Sequence, residues 1–262
     1  MKSRKYLFTN LAIVLVLAFS LVLAGCSDSD DVVPAAGPAA TFVGSDQCQT
    51  CHPTIYSSSI ESGHNFKLNK IEGAAEPTYP VFTPGITGAL ALIDDDDTES
   101  GDPNPGNGTD NTLGTPDSYA DVSYVIGGYN WKARFVDADG YIVTGTEVQY
   151  NLATGAMGGY HNNETDKPYN CGNCHTTGWM RFDAANNPNR QDGLAGMDGT
   201  WDQEGIQCES CHGPGSNHVQ SQSAADITRV ASARTTADFL AADMGSSKAV
   251  ACSECHTRDG EK

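Results

Sequence analysis

The sequence predicts a chain that is mostly coil with short α-helices and one β-hairpin, its interior filled by something other than layered secondary structure. Only 39% of the 262 residues are hydrophobic and 28 are glycine, a thin apolar supply for this length. One stretch, 123–148, has clear strand character, with Tyr124, Ile126, Trp131, Phe135, Tyr141 and Val143 in two extended runs around Asp139-Gly140. No secondary-structure unit recurs at a fixed period; a five-residue motif recurs instead.

The chain opens with the layout of an export signal, 1–25: Lys2, Arg4 and Lys5, an apolar run from Leu11 to Leu23, then Leu23-Ala24-Gly25-Cys26. The run is short for a membrane span. Small residues before a lone cysteine predict lipidation of Cys26, hence a protein anchored in the periplasm or at the outer membrane and cell surface. Residues 26–41, rich in Ser, Asp, Ala, Pro and Gly, read as the lipidated cysteine and a flexible tether. The folded domain then spans 42–262. Pro53 suits a first helical turn, with Tyr56 and Ile60 able to share a buried face. Residues 94–117 form a long polar loop; its oxygens are of the type that binds calcium, but no EF-hand spacing is present, so a solvated loop is the preferred reading. The best later helix candidate is 224–242, before Gly245.

The formal charge is -18, and without Lys2, Arg4 and Lys5 the 12 remaining basic residues face 33 acidic ones, leaving -21. Such a surface repels nucleic acid and anionic lipid; it is more often a solubility feature, and otherwise attracts cationic partners, metal ions or basic redox proteins.

Four times the chain reads Cys-x-x-Cys-His: Cys48, Cys51 and His52; Cys171, Cys174 and His175; Cys208, Cys211 and His212; Cys252, Cys255 and His256. All eight cysteines other than Cys26 are used. This is the c-type heme attachment spacing: two thiols form thioethers with the heme vinyl groups and the adjoining histidine becomes the proximal iron ligand. Zinc clusters do not require a histidine after every pair. Disulfides across two intervening residues would constrain almost nothing and leave the histidines unexplained. The expected cofactors are four hemes c.

Subtracting the proximal residues from seven histidines leaves His64, His161 and His218 as distal candidates. Four irons therefore cannot all be bis-histidine within one chain. The remaining position is open to Met157, Met180, Met197 or Met244, to a histidine of another subunit, or to substrate. His256 lies close to the end of the sequence, so its heme needs cover from earlier segments, from a neighbouring molecule, or from residues beyond those given.

The blocks Phe42-Val43-Gly44-Ser45 before Cys48, Ser62-Gly63-His64, Ile126-Gly-Gly-Tyr-Asn-Trp-Lys-Ala-Arg-Phe135, Tyr169-Asn-Cys-Gly-Asn-Cys-His-Thr-Thr-Gly178 and Cys208-Glu-Ser-Cys-His-Gly-Pro-Gly-Ser-Asn-His218 resemble the multiheme cytochromes of metal-respiring bacteria. Within them the chain is similar to tetraheme outer-surface cytochromes, including outer-membrane cytochrome E, whose subunits polymerise into filaments. That branch implies a continuous heme stack with bis-histidine irons, one ligand donated by the next subunit. A second relative, the tetraheme cytochrome that receives electrons from hydroxylamine oxidation, implies three bis-histidine hemes and one five-coordinate heme. The expected role is electron transfer to a redox partner protein or a mineral or metal acceptor, with a homopolymer as one form. No separate catalytic constellation is visible. The alternative is a reductase whose open heme acts on nitrite, hydroxylamine or a similar small molecule.

Overall fold

A computed structural model of the chain describes residues 39–93, 116, 118–162, 164–231 and 249–256. The expected export signal, Cys26, most of the tether, nearly all of the polar loop 94–117, and Met244 lie outside the described residues. Contacts divide the chain between Ala39 and Ala40, and every element below belongs to the unit that begins at Ala40. Among the described residues no helix is long and apolar enough to cross a membrane.

The expectation of coil with a single hairpin is overturned by an antiparallel sheet of seven strands. Its strands are β1 (Leu68–Lys70), β2 (Val122–Gly127), β3 (Lys132–Asp137), β4 (Tyr141–Ile142), β5 (Gly145–Asn151), β6 (Ala156–Tyr160) and β7 (Lys167–Pro168). The order is β1-β2-β3-β4-β7, with β5 beside β3 and β6 beside β5. β3 serves two partners on one edge: Lys132, Ala133 and Arg134 pair with β5, and Val136 pairs with β4. The turn at Asp139-Gly140 does join β3 to β4, with the Gly140 N–H donating to the Asp137 carbonyl at 3.1 Å.

The sequence signal failed where strands are polar or glycine-rich. β5 reads Gly-Thr-Glu-Val-Gln-Tyr-Asn and β6 reads Ala-Met-Gly-Gly-Tyr, compositions with weak strand preference. Cross-strand pairing, such as Tyr150 opposite Met157, holds them instead.

The expectation of a sparse side-chain core is likewise corrected, because β2 and β3 bury both faces. Val125, Ala133 and Phe135 enter one cluster with Ile86, Leu90 and Val148. Tyr124, Ile126 and Val136 enter another with Leu68, Tyr169, Trp179, Met197 and Trp201. Neighbouring residues on a strand point to opposite faces, so a doubly buried strand reads as a continuous apolar run. A register shift between Val122 and Tyr124 places Val122 on the Phe135 side, although it stands two residues from Tyr124.

Two small ladders follow: β8 (Thr176–Thr177) with β11 (Gln203–Glu204), and β9 (Met180–Arg181) with β10 (Gly199–Thr200). The helices are short: α1 (Ser45–Gln49), α2 (Pro53–Ile60), α3 (Gly172–His175), α4 (Cys208–His212), α5 (Ser216–Ser221) and α6 (Cys252–His256). α2 has Pro53 in its first turn, where a missing N–H costs nothing. It buries no residue, however, and Ile60 is exposed, so the expected buried face is absent. The helix expected over 224–242 reduces, among its described residues, to one 3-10 turn at Ala224–Asp226. Beyond it the Thr228 N–H donates to the His212 carbonyl, which draws the chain away from a helical path.

Candidate functional site

Each Cys-x-x-Cys-His motif forms a tight turn or a single helical turn. In the first, the His52 N–H donates to the Cys48 carbonyl at 2.8 Å. The other three coincide with α3, α4 and α6. One helical turn puts both sulfurs and the imidazole of each motif on one side, the arrangement a covalently held porphyrin needs. In α3 this turn packs beneath Trp179, and a Cβ at Gly172 would run into the indole ring, so only glycine fits there.

The four motifs adjoin in space in the order first, third, fourth, second. The Cys48 and Cys208 thiols lie within hydrogen-bonding reach of one another. The Ser45 hydroxyl donates to Gln207 at 3.2 Å and accepts from the Cys208 N–H at 3.4 Å. Third and fourth are joined by the Val250 N–H donating to the Ser210 carbonyl at 2.6 Å. Fourth and second meet where the Cys255 thiol donates to the Asn173 carbonyl at 3.9 Å and lies within hydrogen-bonding reach of the Cys174 thiol. Thr177, fully buried just after the second motif, fixes this assembly by bonding to the Ser210 hydroxyl at 2.8 Å and donating to the Gly205 carbonyl at 2.9 Å.

Histidines far apart in sequence face each other across the same region. The His52 and His218 rings lie 6.3 Å apart between centroids, and the His64 and His256 rings 6.2 Å apart. Two imidazoles on opposite sides of one metal require about 2 Å per metal–nitrogen bond and roughly 1 Å from each nitrogen to its ring centre, or ~6 Å in all. Both pairs meet that requirement.

Backbone carbonyls orient three rings. Nδ1 of His175 bonds to the Lys67 carbonyl at 2.8 Å, Nδ1 of His212 to that of Thr228 at 2.8 Å, and Nδ1 of His218 to that of Ser223 at 2.9 Å. A carbonyl only accepts, so Nδ1 carries the proton and the Nε2 lone pair is left for a metal. His64 is fixed through its own backbone, whose carbonyl accepts from the Ile206 N–H at 2.8 Å. Gly205, at φ +70°, permits this approach, since a Cβ would strike the Asn65 carbonyl. Burial first, then the nearby charges of Lys67 and His256, lower the His64 pKa and favour the neutral imidazole that binds metal.

His161 stands differently. It is exposed, sits in the left-handed region at φ +48°, packs edge-on against Tyr160, and bonds through Nδ1 to Glu164 at 2.6 Å. The His161 bond first, then that from Lys167, hold the Glu164 carboxyl below its usual value. Among the methionines, Met197 is fully buried with Tyr169 and Trp179, a packing position.

Two residues of the site have no signature in the sequence. Tyr169 is fully buried, and its hydroxyl has no hydrogen-bond partner among the described residues. It lies within electrostatic range of Cys171 and Cys174, and burial raises its pKa well above the usual phenol value. A buried orphan donor beside an attachment motif fits a cofactor edge as its missing partner. The second is Glu209, buried within the third motif.

Repeated attachment motifs, paired imidazoles and an orphan donor together fit what a heme protein of the c type needs. Residues 143–213, which contain the second and third motifs, match the family described as cytochrome c554 and c-prime. Across this segment the chain resembles that family. It is similar over 74% of its length to an undecaheme cytochrome from the S-layer of Carboxydothermus ferrireducens, at 21% identity and a TM-score of 0.42, covering 24% of that protein. It is similar over 69% of its length to the outer cell wall cytochrome OcwA, at 20% identity and a TM-score of 0.39, covering 33% of that protein. The chain thus spans a quarter of one and a third of the other. A search of curated proteins found no match.

Proposed function

We propose that this chain carries four hemes c and conducts electrons along them outside the cytoplasm. Heme supplies one-electron exchange at iron with little change of geometry. The four cysteine pairs would hold the groups, and His52, His175, His212 and His256 would be their proximal ligands. His218 would complete the first site and His64 the fourth. His161 would serve the second or third site, or a site on a neighbouring molecule.

The observation that carries this reading is the unbroken row of motifs, with two histidine pairs at metal-spanning separation within it. Two nitrogen ligands saturate an iron and leave it no substrate position, as an electron carrier requires. The sequence layout supports lipidation at Cys26 and a location in the periplasm or at the outer membrane and cell surface, and the acidic surface suits a basic redox partner or a metal acceptor.

Seven histidines leave at least one position short. That shortfall supports a homopolymer, with a neighbour's histidine filling the gap. It equally supports a second reading, an open heme reducing nitrite, hydroxylamine or a related molecule. Low-temperature EPR and visible spectra of dilute and concentrated holoprotein test both. Low-spin signals from every heme, one gained only on concentrating, are expected of the conductor. A persistent high-spin heme that binds nitrite or cyanide would replace it with the enzyme.

A further inference from the structure

Glu209 lies between the two cysteines of the third motif, yet it is 1% exposed and faces the first motif's approach. Its Oε1 accepts from the Val43 N–H at 3.0 Å and the Gly215 N–H at 2.7 Å; its Oε2 accepts from Val43 at 3.1 Å and Gly44 at 2.8 Å. Both oxygens only accept, which is the role of an ionised carboxylate. Among the described residues no cation forms an ion pair with it.

Among the described residues, backbone N–H groups are what hold this negative charge out of water at the junction of the first and third motifs. Its field reaches the Cys48 sulfur and Asp202, whose carboxyl is raised by partial desolvation and then by Glu209. The other end of the row differs. Glu254 of the fourth motif is only partly buried and accepts from the Ala251 N–H at 3.0 Å, while Lys67 lies beside His64 and lends its carbonyl to His175. Buried charge is weakly screened, whereas partly exposed charges of mixed sign largely cancel.

We propose that Glu209 sets the direction of electron flow: by stabilising ferric iron at the first and third motifs it makes that pair the low-potential, electron-donating end, with the fourth and second motifs downhill. The proposal rests on the four-heme reading. A bare backbone clamp would account for the hydrogen bonds but predicts no effect on potentials.

The test is a spectroelectrochemical titration of full-length holoprotein, with each heme assigned to its motif by NMR. Mass measurement first counts the hemes; fewer than four would defeat the underlying reading rather than this one. In the native protein the first and third hemes should be the last reduced; finding the second and fourth there overturns the proposal, whatever the fate of any variant. In Glu209→Gln the first and third potentials should rise while the other two stay. Glu209→Asp, which keeps the charge, should lower thermal stability and leave the potentials in place. Unchanged potentials in a folded Glu209→Gln protein, or four equal shifts, also overturn it.

Discussion

The sheet and the motif-bearing segments are built on opposite terms. β2 and β3 bury Phe135, Val125 and Tyr124 completely and close their hydrogen bonds through paired neighbours. α2, α5 and α6 bury nothing, and Ile55 on α2 is 67% exposed. One region packs on its own side chains; the other exposes cysteines, histidines and apolar surface that the proposed hemes would cover. The sheet acts as a frame from whose strands the ligands are carried: β1 directly follows His64–Lys67, and β7 leads into Tyr169 and Cys171.

The strongest way to break this contrast is to damage the frame. Phe135→Ala removes a fully buried ring and should cost about 3–5 kcal/mol, collapsing sheet and motifs together in a denaturant titration. Replacing Cys48 and Cys51 by alanine should act locally instead. The β-sheet circular dichroism should persist while residues 45–60 become open to protease; global unfolding would show that the frame depends on its cargo. Gly172→Ala probes the seam between the two regions. Forcing a methyl against Trp179 should cost about 1–3 kcal/mol, read as a lower melting temperature with the sheet signature retained.

The smallest effect belongs to the frame's surface. Partial burial alone would raise the Asp192 carboxyl, but hydrogen bonds from Lys70, at 2.8 Å, and from the Tyr124 hydroxyl outweigh it and bring the pKa below the ordinary value of 3.8. A folded pKa below the unfolded one stabilises the protein at pH above the unfolded value and is lost as pH falls through the folded one. Stability should therefore decline on acidification below about pH 4 in the native chain, with a shallower decline in Asp192→Asn. Solvent exposure of the pair keeps the difference small.

The parts of the molecule legible in its sequence are those whose physics is local. Cys-x-x-Cys-His spacing fits one helical turn, Pro53 starts a helix, and Asp139-Gly140 makes a turn between apolar runs, each within a few residues. The glycine-rich β6 escaped notice because its ladder comes from β5, not from its own side chains. Of the helix expected over 224–242, the described residues 224–231 leave the helical path because His212 offers the Thr228 backbone a better partner than a helix does. Glu209 is one of several acidic residues on a strongly acidic chain, and burial alone distinguishes it.

The sequence by itself determined how many attachment motifs there are, which histidine belongs to each, and that the chain is strongly acidic. Only the tertiary structure decided that the first motif adjoins the third and the fourth adjoins the second, that His218 faces His52 and His64 faces His256, and that one carboxylate is sealed at the first junction. The reason is that covalent spacing is written in consecutive residues, whereas these pairings join remote segments, whose meeting depends on the sheet and on every loop between them.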